Sequence, residues 1–319
     1  MGMRCDLHVH TRHSGMCTIP LLNRVSRESY SDPEAVYQTL KRRGMDLVTV
    51  TDHDSIDAAE ELRRYPDFFL SEEVTCVTPS GTEIHTGVYG IEERDHVELQ
   101  RRRKDVPALA AYLDERKLFF SINHVFSSLT GRRTDLDFLL FQELFPAMET
   151  LNGQIPGINN STAALLARDW RKAVVGGSDA HTLAALGQTY TDVPAATGVG
   201  AYLHGLRRGQ ATTHGLSGNY LKLTVAIAEI GLASVREHPW MALLAPVLLP
   251  VVPVVTLVNY FCEILFERKW SRRLVGRTPW SARVPLDPLF EPQLFEEQAD
   301  VGVGCGPGGP PHVVFEGAD

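Results

Sequence analysis

The chain has 319 residues, a formal net charge of -8 and 44% hydrophobic side chains. That length suffices for one barrel-sized core with a tail, and the acidic balance argues against a general nucleic-acid-binding surface, so no duplex partner is expected. Cys5, Cys17, Cys76, Cys262 and Cys305 lack paired or CxxC spacing and no charged-then-apolar leader precedes His8, which together predict reduced thiols and a cytoplasmic location.

In chain order, the first signal is Cys5-Asp6-Leu7-His8-Val9-His10. His8 and His10 are two apart and share one face of a strand. Such a pair can clasp a divalent ion; it can equally be a solvated surface pair. Ser31-Asp32-Pro33-Glu34 starts a helix with Pro at its first position, and Gly44 stops it. Residues 46–51 form a β-branched run ending in Asp52-His53, and 54–64 read as a helix. Glu73 has a neighbouring glutamate, a pattern usually solvated, but a carboxylate there could bridge two cations. His85 lies in a strand-like alternation, where a lone histidine reads as a satisfied core residue. Helices are predicted over 92–104 and 105–117. The run 118–122 ends in Asn123-His124. Arg132 and Arg133 follow, and these, with His13, are candidates to bind phosphate, which Arg does bidentately. After a helix over 159–172, residues 172–175 lead through Gly176-Gly177-Ser178 into Asp179-Ala180-His181, where glycine permits close backbone approach.

Histidines and acids thus recur at the ends of apolar runs, between helices. This alternation predicts an α/β fold whose parallel strands bring their C-terminal ends to one rim, a (β/α) barrel. The chemistry such a rim implies is a multinuclear metal site, hydrolytic in kind.

The ordered set His8/His10, Thr51-Asp52-His53, Glu73, His85, His124 and Ser178-Asp179-Ala180-His181 resembles the polymerase and histidinol phosphatase (PHP) family of metal-dependent phosphoesterases, over roughly residues 3 to 215. The resemblance implies a distorted seven-stranded barrel and a ligand plan. His8, His10, Glu73 and Asp179 would hold one metal; Glu73, His85 and His124 a second; His53 and His181 a third. Family members carry a further ligand shortly after a Ser, where this chain has Ser14-Gly15-Met16. Two ions are therefore expected (Mn, Zn or Fe), with the third position short of a side chain. His13 or Cys17 are substitutes for it. With that position unfilled, His53 and His181 would be free to act as catalytic proton donors.

Beyond residue 215 the composition changes. No charge falls between Trp240 and Cys262, Pro246, Pro250 and Pro253 interrupt the stretch, and Arg268, Lys269, Arg272 and Arg273 follow it. The stretch is read as attachment to a membrane surface from the cytoplasmic side, with burial against the barrel or self-association as the competing reading. The division is therefore 1–215 catalytic domain, 216–275 helical and apolar segment, 276–319 a Pro/Gly-rich tail expected to be disordered. The functional expectation is a phosphoesterase acting on a small phosphorylated metabolite or nucleotide. The alternative is a non-catalytic, metal-stabilised scaffold or regulatory module.

Overall fold

A computed structural model describes residues 2–17, 22–243, 246 and 250–274, and Met1–Arg272 form one compact unit. The expected tail at 276–319 lies outside the described residues. The fold is mixed α/β. One sheet contains β2 (Ser71–Val77), β3 (Glu83–Tyr89), β4 (Phe119–Ile122), β5 (Ala147–Asn152) and β6 (Ala173–Gly177) in that order. The second contains β1 (Met3–Cys5), β7 (Thr189–Val193) and β8 (Thr212–Gly215), paired antiparallel.

One expectation is corrected here and another is met only in part. The strands are not uniformly parallel: β3 runs antiparallel to both β2 and β4, while β4–β5 and β5–β6 are parallel. The described strands also do not form one closed seven-stranded barrel. Residues 46–51 make only the isolated bridge Val48↔Phe68, because their partners lie on two sides: Thr51 N–H donates to Val9 O at 2.8 Å and Phe69 N–H donates to Val48 O at 3.1 Å. Residues 8–10 are tied to the segment after β6 by Asp179 N–H to His8 O, 2.7 Å, and His10 N–H to Ala180 O, 3.1 Å.

The period-2 reading of the first segment holds. Leu7 and Val9 are buried in apolar clusters, so His8 and His10 alternate away from them. Gly177 is required here, since a Cβ on it would lie 2.3 Å from His8 N.

Helices α1 (Pro33–Arg42), α3 (Glu93–Arg102), α4 (Val106–Glu115) and α6 (Gly157–Asp169) fall near their predicted positions. Asp32 caps α1 by accepting from the Glu34 and Ala35 N–H groups, and Pro33 opens it. The helix expected over 54–64 is only the short α2 (Ala59–Leu62); Asp54 has φ +50° and accepts from Thr75 N–H, which holds the chain out of helical geometry. Further helices are α5 (Asp135–Leu144), α7 (Val199–Arg207), α8 (Tyr220–Glu237) and α9 (Val251–Leu274).

Helix α9 has an inverted polarity. Glu263, Glu267 and Trp270 are buried, while Val254, Val258, Phe261 and Leu265 are exposed. The Glu263 carboxylate accepts from Ser128 N–H (2.8 Å), Ser128 Oγ (2.6 Å) and Ser127 Oγ (3.2 Å), and Glu267 accepts from Thr162 Oγ (2.6 Å). Trp270 packs on Phe138, centroids 4.8 Å apart. Among the described residues no helix is long and apolar enough to cross a membrane.

Candidate metal centre

Glu73, fully buried on β2, organises the site. Its Oε2 lies 3.1 Å from His8 Nε2, 3.4 Å from His10 Nε2 and 3.3 Å from His53 Nδ1. Its Oε1 lies 3.2 Å from His124 Nε2 and 3.6 Å from His85 Nδ1, and accepts from Asn123 Nδ2 at 2.8 Å. The Asp179 Oδ1 atom stands 3.3 Å from His10 Nε2, 3.5 Å from His8 Nε2 and 3.6 Å from His181 Nδ1. All eight residues expected to be ligands therefore converge. His85 joins although its strand is reversed: it is the third residue of β3, and the start of an antiparallel strand lies at the same edge as the ends of its neighbours.

Four sets bring their ligand atoms within 4.8 Å of one another: His8/His10/Asp179, His8/Glu73/His124, His53/Glu73/His85 and His10/His53/His181. The grouping differs in detail from the family plan, since His124 shares a set with His8 and His85 shares one with His53. His124 and Asp179 both adopt positive φ, +28° and +51°. Non-glycine residues in that region cost of order 1–3 kcal/mol and cluster at functional sites.

Electrostatics follow from burial among opposed charges. Burial works against charging His8, yet Asp179, Glu73 and Glu149 hold its pKa well above the usual value. Against the same desolvation, Glu73 and Asp179 are held well below the carboxylate range by the surrounding imidazoles. Burial and the neighbouring His181 and His53 push His10 down to about 3. His10 is thus neutral, the form that ligates metal.

Several residues of the site carried no motif. Glu149 on β5 accepts from His8 Nδ1 at 2.7 Å, the carboxylate support that fixes the tautomer of a ligating histidine. A lone acid within a strand buried along nearly its whole length is the signal available. Ser14 Oγ lies 2.9 Å from His10 Nδ1 and donates to Asp52 Oδ1 at 2.8 Å, so Asp52 orients His10 through a hydroxyl. Asn152 Nδ2 donates to Glu149 (3.0 Å) and Asp179 (3.1 Å). Glu28 sits against His53 and His181, at 3.6 and 3.7 Å. The Lys222 ammonium on α8 has no hydrogen-bond partner; burial lowers its pKa, and the opposing charges it senses are Asp6 and Asp179. Both polar side-chain atoms of half-buried Gln154 are likewise unpartnered.

The phosphate-binding expectation is corrected for Arg133. Its guanidinium donates to Glu83 O (2.9 Å) and Thr130 Oγ (2.6 Å), and packs over Phe141, a structural role inside the protein. Arg132 is exposed, and His13 Nε2 lies 3.7 Å from Glu61. Neither His13 nor Cys17 belongs to any of the four sets.

Residues 157–210, which carry Asp179 and His181, match the PHP-associated family. A stretch of 84 residues is 31% identical to an uncharacterized protein of Methanocaldococcus jannaschii, covering 26% of this chain and 45% of that protein; the match thus spans less than half of the relative's length. Among solved structures, PsfC from Pseudomonas syringae PB-5123 superposes with a TM-score of 0.50 at 16% identity, over 73% of this chain and 98% of that one. The likeness is one of fold. The lesion-specific endonuclease EndoQ of Pyrococcus furiosus is similar at a TM-score of 0.44 and 16% identity, over 65% of this chain and 55% of that one.

Proposed function

We propose, for a chain that belongs to the PHP family, that it is a metal-dependent hydrolase of phosphate esters acting on a small phosphorylated metabolite or nucleotide. The observation that carries this reading is the Glu73 carboxylate, whose two oxygens face two separate groups of imidazoles. The donor set fits divalent cations: His10 Nε2, His53 Nδ1 and His124 Nδ1 are buried nitrogens without a hydrogen-bond partner, and a buried polar atom normally has one. Nitrogen and oxygen donors without thiolate suit Mn, Zn or Fe.

Cations held by these residues would supply Lewis acidity toward a phosphoryl oxygen and lower the pKa of a water. The chain's own groups do the rest. Glu149 and Ser14 hold His8 and His10 in register by binding their Nδ1 atoms. With only two cations bound, His53 and His181, part-exposed, are placed to pass a proton to the departing oxygen. Lys222, with Gln154, offers the unpaired donors that an anionic substrate requires, a role expected of Arg133.

The barrel is part of the same proposal. Hydrogen bonds link the segment 3–10 to 46–53, 46–53 to the start of β2, and the end of β6 back to residue 8, which supports a distorted ring of seven extended segments including β2–β6. So is a cytoplasmic enzyme held at a membrane surface through 240–262, supported by the exposed apolar side chains Trp240, Leu243, Val254 and Phe261.

Metal-loaded protein assayed against p-nitrophenyl phosphate, its bis ester, nucleotides and sugar phosphates should turn over at least one class. Full metal content with no turnover across the panel would leave the scaffold reading in its place.

A further inference from the structure

Three imidazoles, His10, His53 and His181, bring ligand atoms within 4.8 Å of one another in a set that contains no carboxylate. A divalent cation among neutral imidazoles alone would be left with its full charge in a buried setting, which is costly without an anionic partner. The carboxylate that meets this set comes from a part of the chain with no motif. Residues 15–17 pair antiparallel with 26–28: Cys17 N–H donates to Ser26 O at 3.0 Å, Met16 bridges Arg27, and Glu28 N–H donates to Gly15 O at 3.1 Å. Glu28 thus stands directly across from Gly15. From there its Oε2 reaches to 3.6 Å from His53 Nε2 and its Oε1 to 3.7 Å from His181 Nε2. The backbone behind it is fixed to the site, because Ser29 Oγ donates to both His10 O (3.2 Å) and His181 O (3.0 Å).

We propose that Glu28 is a metal ligand, completing with His53 and His181 a third cation site whose acid is supplied across a two-strand pairing rather than by the Ser14–Cys17 turn. The site is then trinuclear, the expectation of two ions is revised, and His53 and His181 act as ligands in place of proton donors. His13 is turned to another acid, its Nε2 lying 3.7 Å from Glu61, whereas Glu28 faces both His53 and His181. The inference rests on the reading of the cluster as a cation centre and is independent of the substrate.

Elemental analysis after Mn2+ loading and exhaustive dialysis tests it without any turnover assay, so its failure is distinct from failure of the phosphoesterase reading. The wild-type chain should retain about three ions and Glu28→Gln about two, since each site needs its own deprotonated ligands. The electron paramagnetic resonance of the bound Mn2+ should change with the loss. The double variant Glu28→Gln/Gly15→Asp, which returns a carboxylate from the opposite strand, should regain the third ion. Equal ion counts in wild type and Glu28→Gln would overturn the proposal, making Glu28 an ion-pair partner only. Loss of every ion in a folded Glu28→Gln, judged by circular dichroism, would overturn it too, since the acid would then serve the whole cluster. If the single variant does not fold, Glu28→Asp, which keeps the charge but withdraws it by one methylene, decides: a third ion lost more readily on dialysis than from wild type supports the assignment, and wild-type retention refutes it.

Discussion

Around Glu73 five imidazoles stand within 3.1–3.6 Å of one buried carboxylate, whereas on α9 the buried Glu263 is met by serine hydroxyls and a backbone N–H. Both are acids removed from water. The pKa values part company: Glu73 is held well below the carboxylate range by imidazoles despite its burial, while burial pushes Glu263 up against the weaker pull of its hydroxyl donors. A buried acid thus signals chemistry only when its partners can share a cation with it. With neutral donors it is a fastening.

The sharpest break in this comparison is Glu73→Ala or Asp179→Ala. Either leaves several imidazoles without their counter-charge, and removing one partner of a buried charged set costs about 3–5 kcal/mol. Turnover should fall by about a thousandfold or more and bound metal should be lost with it. Retention of metal by Glu73→Ala would end the bridging role. Glu263→Ala should do the opposite, sparing metal content while lowering Tm, because unpaired buried donors at Ser127 and Ser128 cost about 1–3 kcal/mol. Unchanged thermal melts would show the α9 contact to be dispensable.

Lys222→Ala should raise KM about tenfold with kcat nearly kept, the mark of lost substrate binding, while Arg133→Ala should act on Tm instead. A normal KM for the lysine variant would remove it from the substrate's path. A smaller effect comes from pH. Because burial raises the Glu263 carboxyl above its unfolded value, the native state binds that proton more tightly. Its contribution is therefore greatest at pH below the unfolded value of about 4.3 and declines as pH rises through the folded one. Glu263→Gln keeps an acceptor for Ser128 and removes the charge. The loss of Tm between pH 5 and pH 8 should shrink in this variant, and an unaltered difference would refute the account. Last, washed membranes should retain the full chain until detergent is added; recovery in the soluble fraction as a monodisperse preparation would dispose of the surface-attachment reading.

The convergence of the eight candidate residues is legible in the sequence because metal chemistry restricts ligands to a few side-chain types and strand ends lie together. His85 was the weakest of them by sequence and is accounted for by the reversal of β3, which no local pattern encodes. Asp54 to Arg64 reads as a helix from its run of Ala, Glu, Leu and Arg, while the contact that interrupts it, Asp54 to Thr75, is distant in sequence. Arg133 was misassigned for a related reason. Its rivals for the guanidinium, Glu83 O and Thr130, become visible only once β3 lies beside the loop. Glu28 and Lys222 were missed since one acid and one lysine in polar surroundings ordinarily face solvent.

The contact of Glu263 with Ser127 and Ser128 has a consequence for how the chain is made. His124 lies three residues before Ser127, and its backbone N–H is held by Glu149 at 2.9 Å, so one side of this loop is secured by residues synthesised soon afterwards. The other side waits for a carboxylate encoded more than a hundred positions later. Domains assemble from the N-terminus as they leave the ribosome, so His8, Glu73 and His124 emerge well before the helix that clamps the His124 loop. A nascent chain stalled between His181 and Glu263 would carry every candidate ligand yet leave that loop's donors open to water, and should exchange its amide protons there faster than the finished protein does.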